Sequence, residues 1–149
     1  MFLFINLIFF LYFYIKFFDT TDAGYPLELV IFSADRQFKP NEWKKKNKAV
    51  ILINNGIHPG EPDGIDASMM LLRDLASRKI RPPANVVLAV IPVYNIGGCL
   101  NRSSFYRANQ NGPTSYGFRG NAQNLDLNRD FIKADSKDAI AFEKIFHWL

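Results

Sequence analysis

The chain contains a single cysteine, Cys99, so no internal disulfide is possible. No histidine precedes or follows that thiol closely enough to activate it, and it reads as a small buried apolar residue. Histidine is nearly as scarce, with only His58 and His147. No internal repeat is present. Net charge is +4 with a pI near 9.2, and much of the excess lies in Lys44, Lys45, Lys46 and Lys48. Apart from Trp43 no aromatic residue interleaves with those lysines, so they read as a solvated turn rather than a nucleic-acid or membrane surface. What is abundant is apolar: 48% of the 149 residues, enough for the core of one domain or of part of one.

The first residues, MFLFINLIFFLYFYIKFF, hold one charge, Lys16, and seven phenylalanines. No basic stretch precedes this run and no small-x-small cleavage signal follows it. Tyr14 to Phe18 run into a turn and read as domain sequence, which leaves residues 1–13 as a distinct hydrophobic segment. That is short for a membrane span, for which about 20 apolar residues are needed. A signal, an anchor and a displaced start all remain open. If the segment is genuine, the protein is expected to be secreted or membrane-associated, with membrane contact through residues 1–18. Residues 14–149 are read as one domain.

Along that domain Leu27–Phe32 is a strand candidate, rich in β-favouring residues. Residues 33–48, polar and with Pro40, read as a loop or a partly ordered excursion. Ala49–Asn54 is a continuous apolar run of the kind expected of a strand covered on both faces. A helix follows, with Pro62 in its first turn and Asp63 and Asp66 at its positive end. Ile65, Met69, Leu72 and Leu75 form its apolar stripe, and both methionines, 69 and 70, are expected in the core. Pro82-Pro83 stop it, and Val86–Val93 is the next buried strand, with Pro92 near its end. Strand, helix, strand makes a βαβ unit with parallel strands. Residues 97–130 form a long loop, which Phe105, Tyr106, Tyr116 and Phe118 should pin. A last helix begins after Ser136, with Ile140, Ile145 and Trp148 on its apolar side.

The chemistry concentrates at the first strand's exit, ILINNGIHPGE. His58 and Glu61 stand in H-x-x-E spacing, and Pro59-Gly60 force a turn that lets both side chains converge. An imidazole nitrogen and a carboxylate oxygen both suit Zn²⁺. Glu61 also precedes a helix N-terminus, which keeps the carboxylate ionised. Ligands of open α/β sheets gather beyond the carboxyl ends of strands, where these two residues lie.

HPGEPDG followed by NLDLNRDF resembles the M14 zinc carboxypeptidases, the carboxypeptidase A-like family. The resemblance spans residues 14–149. It implies an α/β fold with a mostly parallel central sheet flanked by helices, here incomplete, and removal of C-terminal residues from peptides or proteins with zinc as cofactor. It maps His58 and Glu61 onto two zinc ligands, and Asn128 and Arg129 onto the pair that grips the substrate's terminal carboxylate. Arg107 is the best match to the arginine that polarises the scissile carbonyl, with Arg102 and Arg119 as alternatives. Arg129 has a plainer reading as an ion-pair partner of Asp126 or Asp130, and Arg107 as a solvent-facing loop residue. In the family a further His ligand and a general-base Glu follow later in the chain. Neither position exists before Leu149, and His147 reads as a surface or packing residue. The chain is therefore expected to be an N-terminal part of such an enzyme, inactive by itself. Two other readings stand beside this one: a succinylglutamate desuccinylase- or aspartoacylase-like zinc acylase, which shares H-x-x-E, and a non-catalytic, membrane-tethered peptide-binding domain.

Overall fold

In the computed structural model, residues 12–149 are described; most of the apolar N-terminal segment, residues 1–11, lies outside them. A hairpin comes first. Strand β1 (Phe13–Thr20) turns through Thr21–Tyr25 into β2 (Pro26–Ser33). The Thr21 hydroxyl and amide both donate to the Tyr25 carbonyl, and Gly24 takes φ 81°, a left-handed value that glycine adopts without steric cost. Short helix α1 (Pro40–Lys45) drops Trp43 into the core, where its indole N–H donates to the Gln37 carbonyl at 2.7 Å. The region expected as a loop or a partly ordered excursion therefore carries a short helix and a core anchor. Next come β3 (Ala49–Asn54), α2 (Asp63–Ala76) and β4 (Val86–Ile91), followed by α3 (Ile96–Leu100). A two-residue ribbon, β5 (Arg102–Ser103) with β6 (Tyr116–Gly117), bridges the long loop. A 3₁₀ turn (Leu127–Arg129) and α4 (Lys137–Trp148) complete the described chain.

The main sheet has the order β1-β2-β4-β3. Only β3 and β4 are parallel; β1–β2 and β2–β4 are antiparallel. The expectation of a mostly parallel sheet is thus corrected. The βαβ unit is present, but the tight hairpin contributes an antiparallel pair, and β2 runs against β4 because β3 and β4 point the opposite way.

Strand alternation divides the core in two. Leu27, Leu29 and Ile31 of β2 and Val87, Ala89 and Ile91 of β4 face one side, where Trp43, Tyr94, Leu127, Ala141 and Ile145 cover them. Val30, Phe32, Leu88 and Val90 face the other, under Leu75 and Ala76 of α2. Each buried Val, Leu, Ile or Phe side chain among them contributes about 1.5–3 kcal/mol by leaving water. Leu127, fully buried, anchors the turn that carries Asn128 and Arg129.

Four further expectations are corrected. Strand β3 is the sheet edge, and Ile51 is 47% exposed rather than covered on both faces. On α2 the buried line runs through Ser68, Leu75 and Ala76, with Leu71 and Leu72 packed beside it, so Met69 and Met70 face outward at 60% and 56% exposure. On α4 Ile145 is buried, but Ile140 is exposed, and Ala139 and Ala141 take its place. In the long loop Tyr116 is buried and Tyr106 packs on Phe118, while Phe105 projects into solvent. Among the described residues no helix is long and apolar enough to cross a membrane.

Candidate metal and substrate site

The end of β3 is tied to the end of β4 by buried asparagines. Asn55 donates from its side chain to the Ser68 hydroxyl at 2.9 Å and to the Ile91 carbonyl at 3.1 Å. Asn95, fully buried, donates to the carbonyls of Ile57 and Arg119, both at 3.1 Å, and accepts from the Gly98 amide. That one side chain thus joins the segment before His58 to the segment carrying Arg119. Gly56 makes the intervening bend at φ 67°.

The 58–61 turn closes with the Glu61 amide donating to the His58 carbonyl at 2.9 Å. Gly60 is packed so closely that a Cβ there would lie 2.8 Å from Arg107 Nε and 2.9 Å from the Gly117 carbonyl. His58 Nδ1 and Glu61 Oε1 end up 3.7 Å apart. Two bonds of about 2.1 Å at a tetrahedral angle place donor atoms about 3.4 Å apart, so the pair fits one Zn²⁺ with a small adjustment. Among the described residues no group of three or more His, Cys, Asp or Glu side chains assembles a complete metal site. His147, exposed on α4, spends Nδ1 on the Glu143 carbonyl one turn earlier.

Asp126 orients the imidazole. Its Oδ1 accepts from His58 Nε2 at 2.9 Å and from the Asn128 amide at 3.0 Å. Its Oδ2 accepts from Arg119 Nε at 3.2 Å and Nη2 at 3.0 Å. Burial pushes the Asp126 carboxyl up, but the hydrogen bonds from His58, the Asn128 amide and Arg119 outweigh it and hold it at about 2. An ionised acceptor at Nε2 assigns the ring proton there and leaves the lone pair on Nδ1, toward Glu61. A carboxylate behind a histidine in this way is the usual support of a metal-ligating imidazole.

Two guanidiniums contact the same two donor atoms, one each. Arg107 Nη2 donates to Glu61 Oε1 at 2.6 Å, and Arg119 Nη1 lies 3.3 Å from His58 Nδ1. The Arg107 hydrogen bond is the main reason the Glu61 carboxyl titrates below its ordinary value. Arg107 is therefore no solvent-facing loop residue. Arg102 is away from this cluster, bonded to Ser115.

Asn128 lines a cleft of ≈ 260 Å³ together with His58, Glu61, Asn54 and Gly64. Arg129 is exposed and donates to the Asn128 carbonyl at 2.9 Å. It forms no ion pair among the described residues: Asp126 is taken by His58 and Arg119, and Asp130 by Ser136 and Lys133. Sequence reasoning missed Asp126 and Asn95 as site residues and held Arg119 only as an alternative. Asp126, two positions before Asn128, was legible as an acid needing a cationic or N–H partner. Its partner 68 positions away was not.

With this geometry in place, the comparisons with known proteins are specific. A zinc carboxypeptidase family profile matches residues 16–144, and the chain belongs to that family, peptidase M14. Its fold is similar to a metallo-carboxypeptidase from Burkholderia cenocepacia (18% identity, TM-score 0.67, covering 97% of this chain and 36% of that one). It is also similar to the carboxypeptidase A of Helicoverpa armigera (12% identity, TM-score 0.60, covering 95% and 39%). The chain thus spans little more than a third of the length of these relatives. No curated protein matches the sequence.

Proposed function

We propose that this chain supplies one wall of the catalytic centre of a zinc-dependent metallocarboxypeptidase. The observation that carries the reading is the convergence of His58 Nδ1 and Glu61 Oε1 to 3.7 Å while Asp126 occupies the far side of the imidazole. His58 and Glu61 would hold the ion. When bound, zinc polarises a scissile carbonyl and acidifies water. Asn128 lines the cleft and, with its neighbour Arg129, would take the free carboxylate of a peptide C-terminus. The Arg129 fork, in no ion pair among the described residues, suits that planar anion. Arg107 remains the proposed donor to the charge that develops on the carbonyl oxygen. Arg119 shares that role through Nη1, since its other nitrogens are committed to Asp126.

Catalytic zinc is ordinarily held by three protein ligands. Among the described residues His58 and Glu61 are the two donors that converge, and a third donor and a base for the water proton would have to come from outside this pair. By itself the chain is expected to bind zinc weakly and to turn over little or no peptide. Zinc titration with a peptidase assay tests this: submicromolar affinity together with turnover would overturn it. A peptide panel set against N-acyl amino acids separates the carboxypeptidase reading from the acylase reading.

Arg129, in no ion pair among the described residues, also favours a second reading, a carboxylate-binding module without catalysis. Peptide binding that needs Arg129 and a free C-terminus but ignores chelators would select it.

A further inference from the structure

On the far side of the loop that carries Arg119 and Asp126, two carboxyl groups meet without a cation. Asp138, in the first turn of α4, is fully buried. Beside it lies Asp22, from the β1–β2 turn, and the two carboxyl groups share one amide donor. Two carboxyl groups held this close resist carrying two negative charges, so the buried one favours its protonated form. The remaining contacts come from neutral donors. Asn121 Nδ2 reaches Asp22 Oδ2 at 3.2 Å and Asp138 Oδ2 at 3.1 Å. The Asp22 amide donates to Asp138 Oδ2 at 3.3 Å, and the Lys137 amide to Asp22 Oδ2 at 3.0 Å. Gln123 Nε2 donates to Asp22 Oδ1 at 3.0 Å. Asp138 Oδ1 is buried with no hydrogen-bond partner, a position better suited to a protonated oxygen than to half of an anion.

The surroundings reinforce this. Tyr94, from the end of β4, is buried with an unpartnered hydroxyl, and burial together with Asp138, Asp130 and Glu143 pushes its phenol up. Asp130 is itself engaged by Ser136 and the Asp135 amide. Lys137, exposed, offers the pair its backbone amide and forms no ion pair with it. Among the described residues no Lys, Arg or His ion-pairs with Asp22 or Asp138.

We propose that Asp138, protonated beside Asp22, forms a pH-dependent latch that fastens the 119–126 loop to the β1–β2 turn and α4. The loop end of the latch is Asn121. Its Oδ1 also accepts from the amides of Gln123 and Leu125, both at 2.9 Å, so the side chain that bridges the acids also shapes the loop. Loss of the proton places two like charges on one amide donor, the Asp138 charge fully buried, and the loop opens more often. The relevance of that loop to a metal site rests on the reading of His58 given above; the latch itself does not.

Burial is the largest reason the Asp138 carboxyl is raised to about 6, followed by the neighbouring Asp22 carboxyl. A carboxyl whose folded value is raised stabilises fully below its unfolded value, and that stabilisation is lost as pH rises through the folded one. With an ordinary value of about 4 in the open form, opening becomes about tenfold more frequent at about pH 7.5 than at about pH 5.

The test is amide hydrogen exchange by NMR, read as protection factors for Asn121, Gln123 and Leu125 across that range, with the Asp138 side-chain carbon titrated in the same samples. The wild type should lose about tenfold protection in this loop as pH rises, and the Asp138 carbon should titrate near pH 6. In Asp138→Asn the amide replaces the acid, and protection should become independent of pH. Asp22→Asn is the second variant, should the first fail to fold, and should reduce the slope, because burial of Asp138 remains while its acidic neighbour is gone. A wild-type loop with pH-independent protection, an Asp138 carbon already ionised at about pH 5, or a slope undiminished in both variants would overturn the latch. None of these readouts requires metal, so failure here and failure of the metal reading are separate results.

Discussion

Asp126 is assigned to act through His58, and a double-mutant cycle measures that directly. The four proteins are wild type, His58→Ala, Asp126→Ala and the double variant, unfolded by urea in metal-free buffer. The bond joins Nε2 of an imidazole that is 8% exposed to Oδ1 of a carboxylate that is 28% exposed, at 2.9 Å. A hydrogen bond to a charged group contributes about 1.5–3 kcal/mol. The partial exposure of Asp126 lowers that to about 1–2 kcal/mol. Asp126→Ala alone should cost more, because the Asn128 amide and Arg119 also lose their acceptor. The cycle subtracts those shared losses and leaves the pairwise energy. Single-variant effects that add to within about 0.3–0.5 kcal/mol would refute the assignment, because the imidazole would then be held by something else.

Three further outcomes are expected. Ile145→Ala, in the centre of the larger core, should lower stability by about 2–5 kcal/mol, whereas Met69→Ala should change it by less than about 0.5 kcal/mol; urea midpoints at constant slope check both. Gly60→Ala should distort the 58–61 turn, since the new methyl group meets both Arg107 and the Gly117 carbonyl, and a shift of the His58 ring resonances in the folded protein would report it. Burial pushes the Asp35 carboxyl up, but Lys46, Lys48 and Ser33 outweigh it and hold it well below the usual range. The stabilisation from Asp35 is therefore complete above its unfolded value of about 4 and declines as pH falls below that, so Asp35→Asn should flatten the acid limb of the stability profile; an unchanged limb would count against the pairing.

Much of the site's scaffold was legible in the sequence because it is local. The apolar run Ala49–Asn54 has the observed strand's limits, Pro62 and the two aspartates mark the start of α2, and Ser136 caps α4 by accepting from the Ala139 amide at 3.0 Å. H-x-x-E was visible for the same reason, as a turn of four residues. Strand β1 was not, because its alternation is masked by continuous apolar sequence before it, and without β1 the sheet seemed more parallel than it is. The outward face of Met69 and Met70 escaped because hydropathy alone does not say which of two adjacent helical stripes meets the sheet. The network around His58 escaped for a different reason. Asp126, Arg119 and Arg107 reach the H-x-x-E turn across 68, 61 and 46 positions, and only the crossing of the long loop over the strand ends brings them there.

The most direct test is the zinc X-ray absorption spectrum of the metal-loaded protein, compared with His58→Ala and Glu61→Ala. The account predicts one imidazole nitrogen at about 2.0–2.1 Å with light oxygen donors completing the shell, and loss of the imidazole signal in His58→Ala alone. A wild-type shell without imidazole, or a spectrum unchanged in both variants, would contradict the shared-ion geometry of His58 and Glu61.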